Sequence, residues 1–402
     1  MQDILIRKRV IHLGGYDPMR PEAFFARFNR ELTRSAACWS AVAATRDFTV
    51  EPERATWVSE MRGAGWMVLT EHELIRWDDV IATHRSGSTL SRWLGGIISF
   101  MDFVIHGALW RYLAIAWRYA AFFIYPFAIL IFVFAFTLLA VEAGMTALGA
   151  SPLLSKPLSL AAAFAASFGM VRSGHVGHLL DDWDFARRLV RTSDPVISER
   201  LLAASARLAS VPADVDVLVV GHSLGAVLAA ELLDRTVSQP QSSRSFRFVA
   251  LGSSILKLAL HGEAKTLRAQ LNRMNGSGRV AWTEFQSLSD VMNFYKSDPV
   301  KLLRLDGPPP LVRQVRFRRM LQPAYYRRIK RNFFRLHCQF ISGNDRRAPY
   351  DYMMLTCGPF TPAAMALPGD GVMNWIDDAG ALTEQGRATL LPVAAARPEA
   401  LP

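Results

Sequence analysis

The chain has 402 residues, a net charge of +11, 51% hydrophobic and 20% charged residues, and a slightly positive mean hydropathy. That balance is too apolar for a wholly soluble globular chain, so part of it is expected in lipid; the length admits two domains or one α/β domain with insertions. Three widely spaced cysteines, Cys38, Cys338 and Cys357, offer no disulfide framework, and the first ten residues lack the uncharged core and cleavage site of a secretory signal.

The cysteines read as small buried hydrophobes. The charge is uneven: residues 313–335 hold nine Arg or Lys and no acid, most of the chain's excess. A local basic patch, rather than a generally basic protein, is expected.

Residues 9–16, RVIHLGGY, read as a short buried strand that stops at a glycine pair. Phe24, Phe25, Phe28 and Leu32 have helical spacing, residues 55–77 read as two strands joined at Arg62-Gly63-Ala64-Gly65, and Asp78-Asp79 opens a further helix. Residues 94–110, with Asp102 and His106 in an apolar stretch, suit an interfacial or re-entrant helix. Residues 119–141 are twenty-three without a charge. As a helix they span about 34 Å, enough for a hydrocarbon core of about 30 Å. Residues 157–171 form a second, shorter uncharged run, and Ala161, Ala165 and Gly169 make a small-residue stripe expected to face the first helix.

Beyond Trp183 the pattern is helical up to residue 209, with a break at Pro195. Residues 215–220 then form an apolar strand, 226–233 a helix, 246–251 a strand, 255–274 a helix and 280–286 a strand. This alternation predicts a mostly parallel α/β sheet flanked by helices. Residues 387–402 are expected to be loosely ordered.

Gly221-His222-Ser223-Leu224-Gly225 lies between a predicted buried strand and a helix. Glycines there let strand and helix approach closely, so that a serine on a sharp turn projects its Oγ. A serine that merely caps the helix is the alternative. The pentapeptide resembles the nucleophile elbow of the α/β-hydrolase family, in particular its lipases and esterases. The resemblance implies an α/β-hydrolase-like sheet interrupted by a membrane helical hairpin, with Ser223 as nucleophile and the backbone NH of Leu224 as an oxyanion donor.

The family's order of nucleophile, acid and histidine implies a base after Ser223, where only His261 and His337 stand. His261 falls in a predicted helix, which leaves His337, against a purely structural histidine among aromatic residues. Asp290, four residues past the strand 280–286, is similar to the acid loop of fungal-type lipases; Asp298, in an Asp-Pro turn, is the alternative acid. His12-Leu13-Gly14-Gly15-Tyr16 looks like the loop that supplies a second oxyanion donor, from Gly15 or Tyr16, and reads equally as a plain glycine turn. His175 and His178 have a spacing open to metal, but a polar helix start explains them as well, and no metal or cofactor is expected.

The oxyanion loop precedes the apolar runs and the other site residues follow them, so an even number of crossings is required. Arg92, Arg111 and Arg118 on one flank and Arg172, Arg187, Arg188 and Arg191 on the other, against Glu142 and Lys156 between, put both flanks in the cytoplasm. The expected organisation is a first part of the hydrolase domain over 1–91 with the oxyanion-loop strand, and a membrane insertion over 92–180 with spans near 119–141 and 153–174. The main domain with the triad covers 181–365, and a partly disordered tail covers 366–402. The function implied is a membrane-anchored serine hydrolase cleaving an apolar acyl ester at the bilayer. Anionic lipid headgroups are partners for the basic segment, and no nucleic acid is expected. A noncatalytic membrane scaffold of the same fold, binding a partner through that segment, is the alternative.

Overall fold

The apolar runs pair as one eight-stranded sheet in the computed structural model, which describes residues 4–172, 175–212, 215–240 and 244–390. The strands are β1 (Ile4–Leu13), β2 (Val42–Val50), β3 (Arg54–Gly63), β4 (Trp66–Ile75), β5 (Asp216–His222), β6 (Phe246–Leu251), β7 (Val280–Ser287) and β8 (Leu311–Val315). Their order is β2-β3-β4-β1-β5-β6-β7-β8. β4 through β8 run parallel with β1 among them, while β2 and β3 form an antiparallel edge. The protein is therefore mixed α/β with a mostly parallel sheet, whose central strands are apolar on both faces because helices cover both.

The helices are α1 (Pro21–Cys38), α2 (Asp78–Arg85), α3 (Thr89–Ile105), α4 (Ala108–Ile115), α5 (Trp117–Ala147), α6 (Pro152–Arg172), α7 (His175–Arg191), α8 (Pro195–Ala209), α9 (Gly225–Val237), α10 (Ile255–Ala259), α11 (Lys265–Gly276) and α12 (Pro299–Leu303). Shorter ones follow: α13 (Phe317–Met320), α14 (Pro323–Ile329), α15 (Phe333–His337) and a C-terminal set beginning at Tyr352–Cys357. On one sheet face Val10, Leu218, Val220, Val249 and Phe285 join Phe28, Trp39, Phe340 and Met353 in a continuous core. On the other face α9 lies against β5 and β6, with α8 and α11 beside it.

Two compact units result: residues 1–79, 195–259 and 265–402 form the sheet unit, and residues 80–194 with 260–264 form a helical unit. In the helical unit, α5 and α6 are each long and apolar enough to cross a membrane, with mean hydropathies of 2.6 and 1.3. At 1.5 Å per residue, 31 and 21 residues reach about 46 and about 31 Å. α5 runs through Pro126 without a break. α3 and α4 meet at a 69° bend beside Gly107, whose left-handed backbone ends the first helix.

Several expectations are corrected. The stripe that packs inward on α6 is Ser155, Ser159, Ala163, Ser167 and Val171, whereas Ala161, Ala165 and Gly169 are exposed. Positions 161 and 163 lie about 200° apart around a helix, so two small-residue stripes compete and only one is buried. The helix expected over 255–274 is broken between α10 and α11, and β2 and β8 are strands that the sequence pattern did not disclose. The tail beyond residue 390 lies outside the described residues.

If Ala163 seats α6 against its neighbours, Ala163→Leu should overpack the contact and destabilise the detergent-solubilised protein by about 1–3 kcal/mol. Ala165→Leu should leave the thermal midpoint nearly unchanged.

Candidate active site

β5 is apolar up to His222, and the chain then turns into α9 at Ser223, whose φ of 55° lies in the left-handed region that non-glycine residues rarely occupy. The turn is built on glycines. A Cβ on Gly225 would lie 2.1 Å from the Leu13 carbonyl oxygen, and one on Gly221 would lie 2.4 Å from Ala226 Cα. Two hydrogen bonds hold the serine's backbone to the end of β6: Ser223 N donates to Leu251 O (3.0 Å), and Ser254 N donates to Ser223 O (3.1 Å).

Ser223 is buried, and its Oγ lies 3.4 Å from Ser254 Oγ. Leu224, also buried, is the residue before α9, and Gly15 faces the serine closely enough that a Cβ there would stand 3.0 Å from Ser223 Cβ. Among the described residues, neither the Leu224 NH nor the Gly15 NH donates to any group. Tyr16 is buried with its ring 6.4 Å from that of Trp77. His12 does not join this group. It points into the core, where Nδ1 meets Tyr352 Oη and Nε2 meets His72 Nδ1, both at 2.9 Å, and burial lowers its pKa to about 3.

Asp290 and His337 meet: Asp290 Oδ2 is 2.8 Å from His337 Nδ1, and both side chains are buried. A carboxylate only accepts, so Nδ1–H donates and Nε2 keeps the lone pair. Asp290 is held in place by its loop, since Met292 N donates to its Oδ1 and Asn293 Nδ2 to its carbonyl. His337 ends α15; its ring lies 4.5 Å from the His222 ring, and its carbonyl oxygen is 3.1 Å from His222 Nε2. A Cβ on Gly252, whose φ is 51°, would come within 3.0 Å of His337 Cε1. His337 Nε2 is buried without a hydrogen-bond partner. Burial, then the neighbouring His337, holds the His222 pKa well below the usual imidazole value.

Asp298 occupies a different role. It caps α12, accepting from Val300 N (3.0 Å) and Lys301 N (3.1 Å), with Lys301 Nζ 3.5 Å away. His261 is also apart from this group, buried in the helical unit with its ring 4.9 Å from that of His106. The ligand atoms of His261, His106 and Asp102 converge within 4.8 Å, a grouping able to take a cation. The Asp102 carboxylate is already engaged by Arg191 and by Arg187 at 3.4 Å, which favours an ion-pair centre over a metal site. Of the two histidines whose spacing was open to metal, His178 is partly buried on α7, and the side chain of His175 lies outside the described residues. Burial pushes the thiol of Cys338, next to His337, up to about 12, which disfavours its reactive thiolate form.

Sequence reasoning missed Ser254 and Glu284. Ser253-Ser254 follows the carboxyl end of a strand beside the elbow, the edge where sites of parallel sheets collect, and that position was the available signal. Glu284 lies on β7 in a small enclosed pocket with Ser253, Asn293 and Phe294, and burial pushes its carboxyl up to about 8. Its ordinary value is 4.5, so between pH 4.5 and about 8 the folded state keeps a proton that the unfolded chain has released. The resulting stability is intact below the unfolded value and is lost progressively towards the folded one. Wild-type thermal midpoints should therefore fall from pH 5 to pH 9, and Glu284→Gln should flatten that fall.

Comparison with family models, with curated proteins and with solved structures gave no match to this chain.

Proposed function

We propose that the protein is a membrane-anchored serine hydrolase of α/β-hydrolase fold that cleaves an acyl ester. The observation that carries this is the conjunction of Ser223 at φ 55° between β5 and α9 with the buried His337–Asp290 pair beside it. Ser223 Oγ attacks the acyl carbon and passes its proton to His337 Nε2. The resulting imidazolium is stabilised by Asp290, and the Leu224 and Gly15 NH groups receive the developing oxyanion. His337 returns the proton to the leaving alcohol, and water repeats the sequence on the acyl-enzyme. α5 and α6 anchor the chain in a bilayer, the source of a substrate too apolar to diffuse through water. With both flanks of the hairpin in the cytoplasm, the sheet unit faces that side.

One observation favours a second reading, a noncatalytic scaffold: Ser223 Oγ rests on Ser254 Oγ, and His337 Nε2 has no partner. Catalytic hydrogen bonds are often long before substrate binds, so this arrangement is also that of a resting enzyme.

A fluorophosphonate probe separates the two, because it reacts through the same serine attack. Wild type should be labelled and Ser223→Ala should not; a folded wild type that stays unlabelled sinks the hydrolase. Asp290→Asn should then lower the esterase rate by about 10⁴-fold with the fold intact. Asp298→Asn should keep the rate while costing up to about 1 kcal/mol of stability through the weakened cap.

Orientation has its own test. A reporter at Gly149 should be noncytoplasmic and one after Gly358 cytoplasmic; cytoplasmic signal at both rejects the hairpin.

A further inference from the structure

The basic stretch resolves into β8, α13, α14 and α15, and its first third borders a cleft of about 490 Å³ in the sheet unit. Arg313, Arg316 and Arg319 line the cleft together with Gln314, Tyr350 and a single acid, Asp370. Arg313 is half-buried and spends its two terminal nitrogens on neutral acceptors, the carbonyls of Leu367 (2.8 Å) and Gly369 (2.6 Å). Burial lowers its pKa, with only Asp370 opposing. The side chains of Arg316 and Arg319 make no hydrogen bond or ion pair to any described residue. Elsewhere in the sheet unit arginines find acids, as Arg207 finds Glu73 (2.6 Å) and Arg273 finds Asp234 (2.6 Å).

Cations on an edge strand discourage another chain from pairing with it, which accounts for Arg313 on β8. It does not account for Arg316 and Arg319, which lie beyond the strand and still border the same concavity. Three guanidinium groups against one carboxylate leave an excess that suits a dianion. The planar fork of arginine matches the oxygens of a phosphate in two parallel hydrogen bonds. The cleft's volume falls within the range of about 300–1,000 Å³ usual for small-ligand sites.

We infer that this cleft binds a phosphate group, gripped by Arg316 and Arg319 beside the fixed charge of Arg313. The phosphate is that of a soluble phosphate compound or of a lipid headgroup. The inference stands apart from the hydrolase reading, since it uses none of the residues around Ser223.

The test is calorimetric titration of the full-length chain in neutral detergent with inorganic phosphate and, separately, with dihexanoyl phosphatidate below its micelle concentration. At least one should bind saturably at up to millimolar concentration. Arg316→Ala/Arg319→Ala should weaken that binding about tenfold or more, while Arg331→Ala, an exposed cation outside the cleft, should not change it. Preference for phosphatidate assigns the site to a headgroup; equal or tighter binding of inorganic phosphate assigns it to a soluble compound. Absence of binding by both probes, or equal weakening in Arg331→Ala, overturns the inference. All three substitutions are at exposed positions, and circular dichroism will verify that the variants fold.

Discussion

Three backbone segments touch at the carboxyl edge of the sheet, and the geometry around Ser223 depends on that contact. The end of β1, the end of β5 and the start of α9 approach until no side-chain atom fits between them: Gly225 lies against the carbonyls of Leu13 and Gly14, Gly221 against Ala226, and Gly15 against Ser223. Closeness of this order forces the chain to reverse within one residue, and Ser223 takes the left-handed backbone at a cost of about 1–3 kcal/mol. The buried strands on both sides offset the strain, because β5 is paired with β1 and β6 along its length. The same contact sets Gly15 and Leu224 beside the serine, so the neighbours of Ser223 share one cause.

The His337–Asp290 pair is fixed by different means. Its members come from the loop after β7 and the end of α15, and each is restrained before they meet. Asn293 bridges the Ser287 and Asp290 carbonyls, which closes the acid loop into a tight turn. His337 is gripped through its carbonyl by His222 and through its ring by the space left at Gly252. A carboxylate withdrawn from water in this way needs a strong donor, and the imidazole Nδ1–H supplies one. The pairing thus orients the ring, and Nε2 is left without a hydrogen-bond partner.

The central strands and the elbow were legible in the sequence because glycines and unbroken apolar runs leave few alternatives. β2 was not: its residues alternate weakly, Arg46 and Asp47 interrupt it at a register shift, and it is an edge strand with only one neighbour. β8 was concealed at the start of a basic run, since it is a short edge strand with Arg313 and Gln314 among its five residues. The break between α10 and α11 depends on a contact distant in sequence, the hydrogen bond from Gly262 N to the His106 carbonyl (3.1 Å). Local periodicity carries no record of such a contact. Asp290 and Asp298 both read as loop acids, and only the side-chain partners separate one that meets a histidine from one that caps a helix.

The arginines flanking the apolar helices have two roles that the sequence presents as one. Counted as cations they bias the orientation in which a hairpin inserts, a rule to which acids contribute little. Once folded, four of them are paired with acids: Arg92 binds Asp181 through two bonds of 2.8 and 2.6 Å, Arg188 reaches Asp184 at 3.1 Å, and Arg187 and Arg191 close on Asp102. Asp102 is on α3 and the other two acids are on α7, so the pairs to Asp181 and Asp102 tie these helices together, while the Arg188–Asp184 pair lies within α7. Asp184 is reached from α2 as well, by His84 Nε2 at 3.0 Å. These four cations are therefore consumed in the folded helical unit, whereas Arg111 meets only the neutral carbonyl of Leu260. Residues 313–335, by contrast, hold cations that remain unpaired at Arg316 and Arg319. These two cations border the cleft of the sheet unit, and it is there that an anionic ligand has cations to meet.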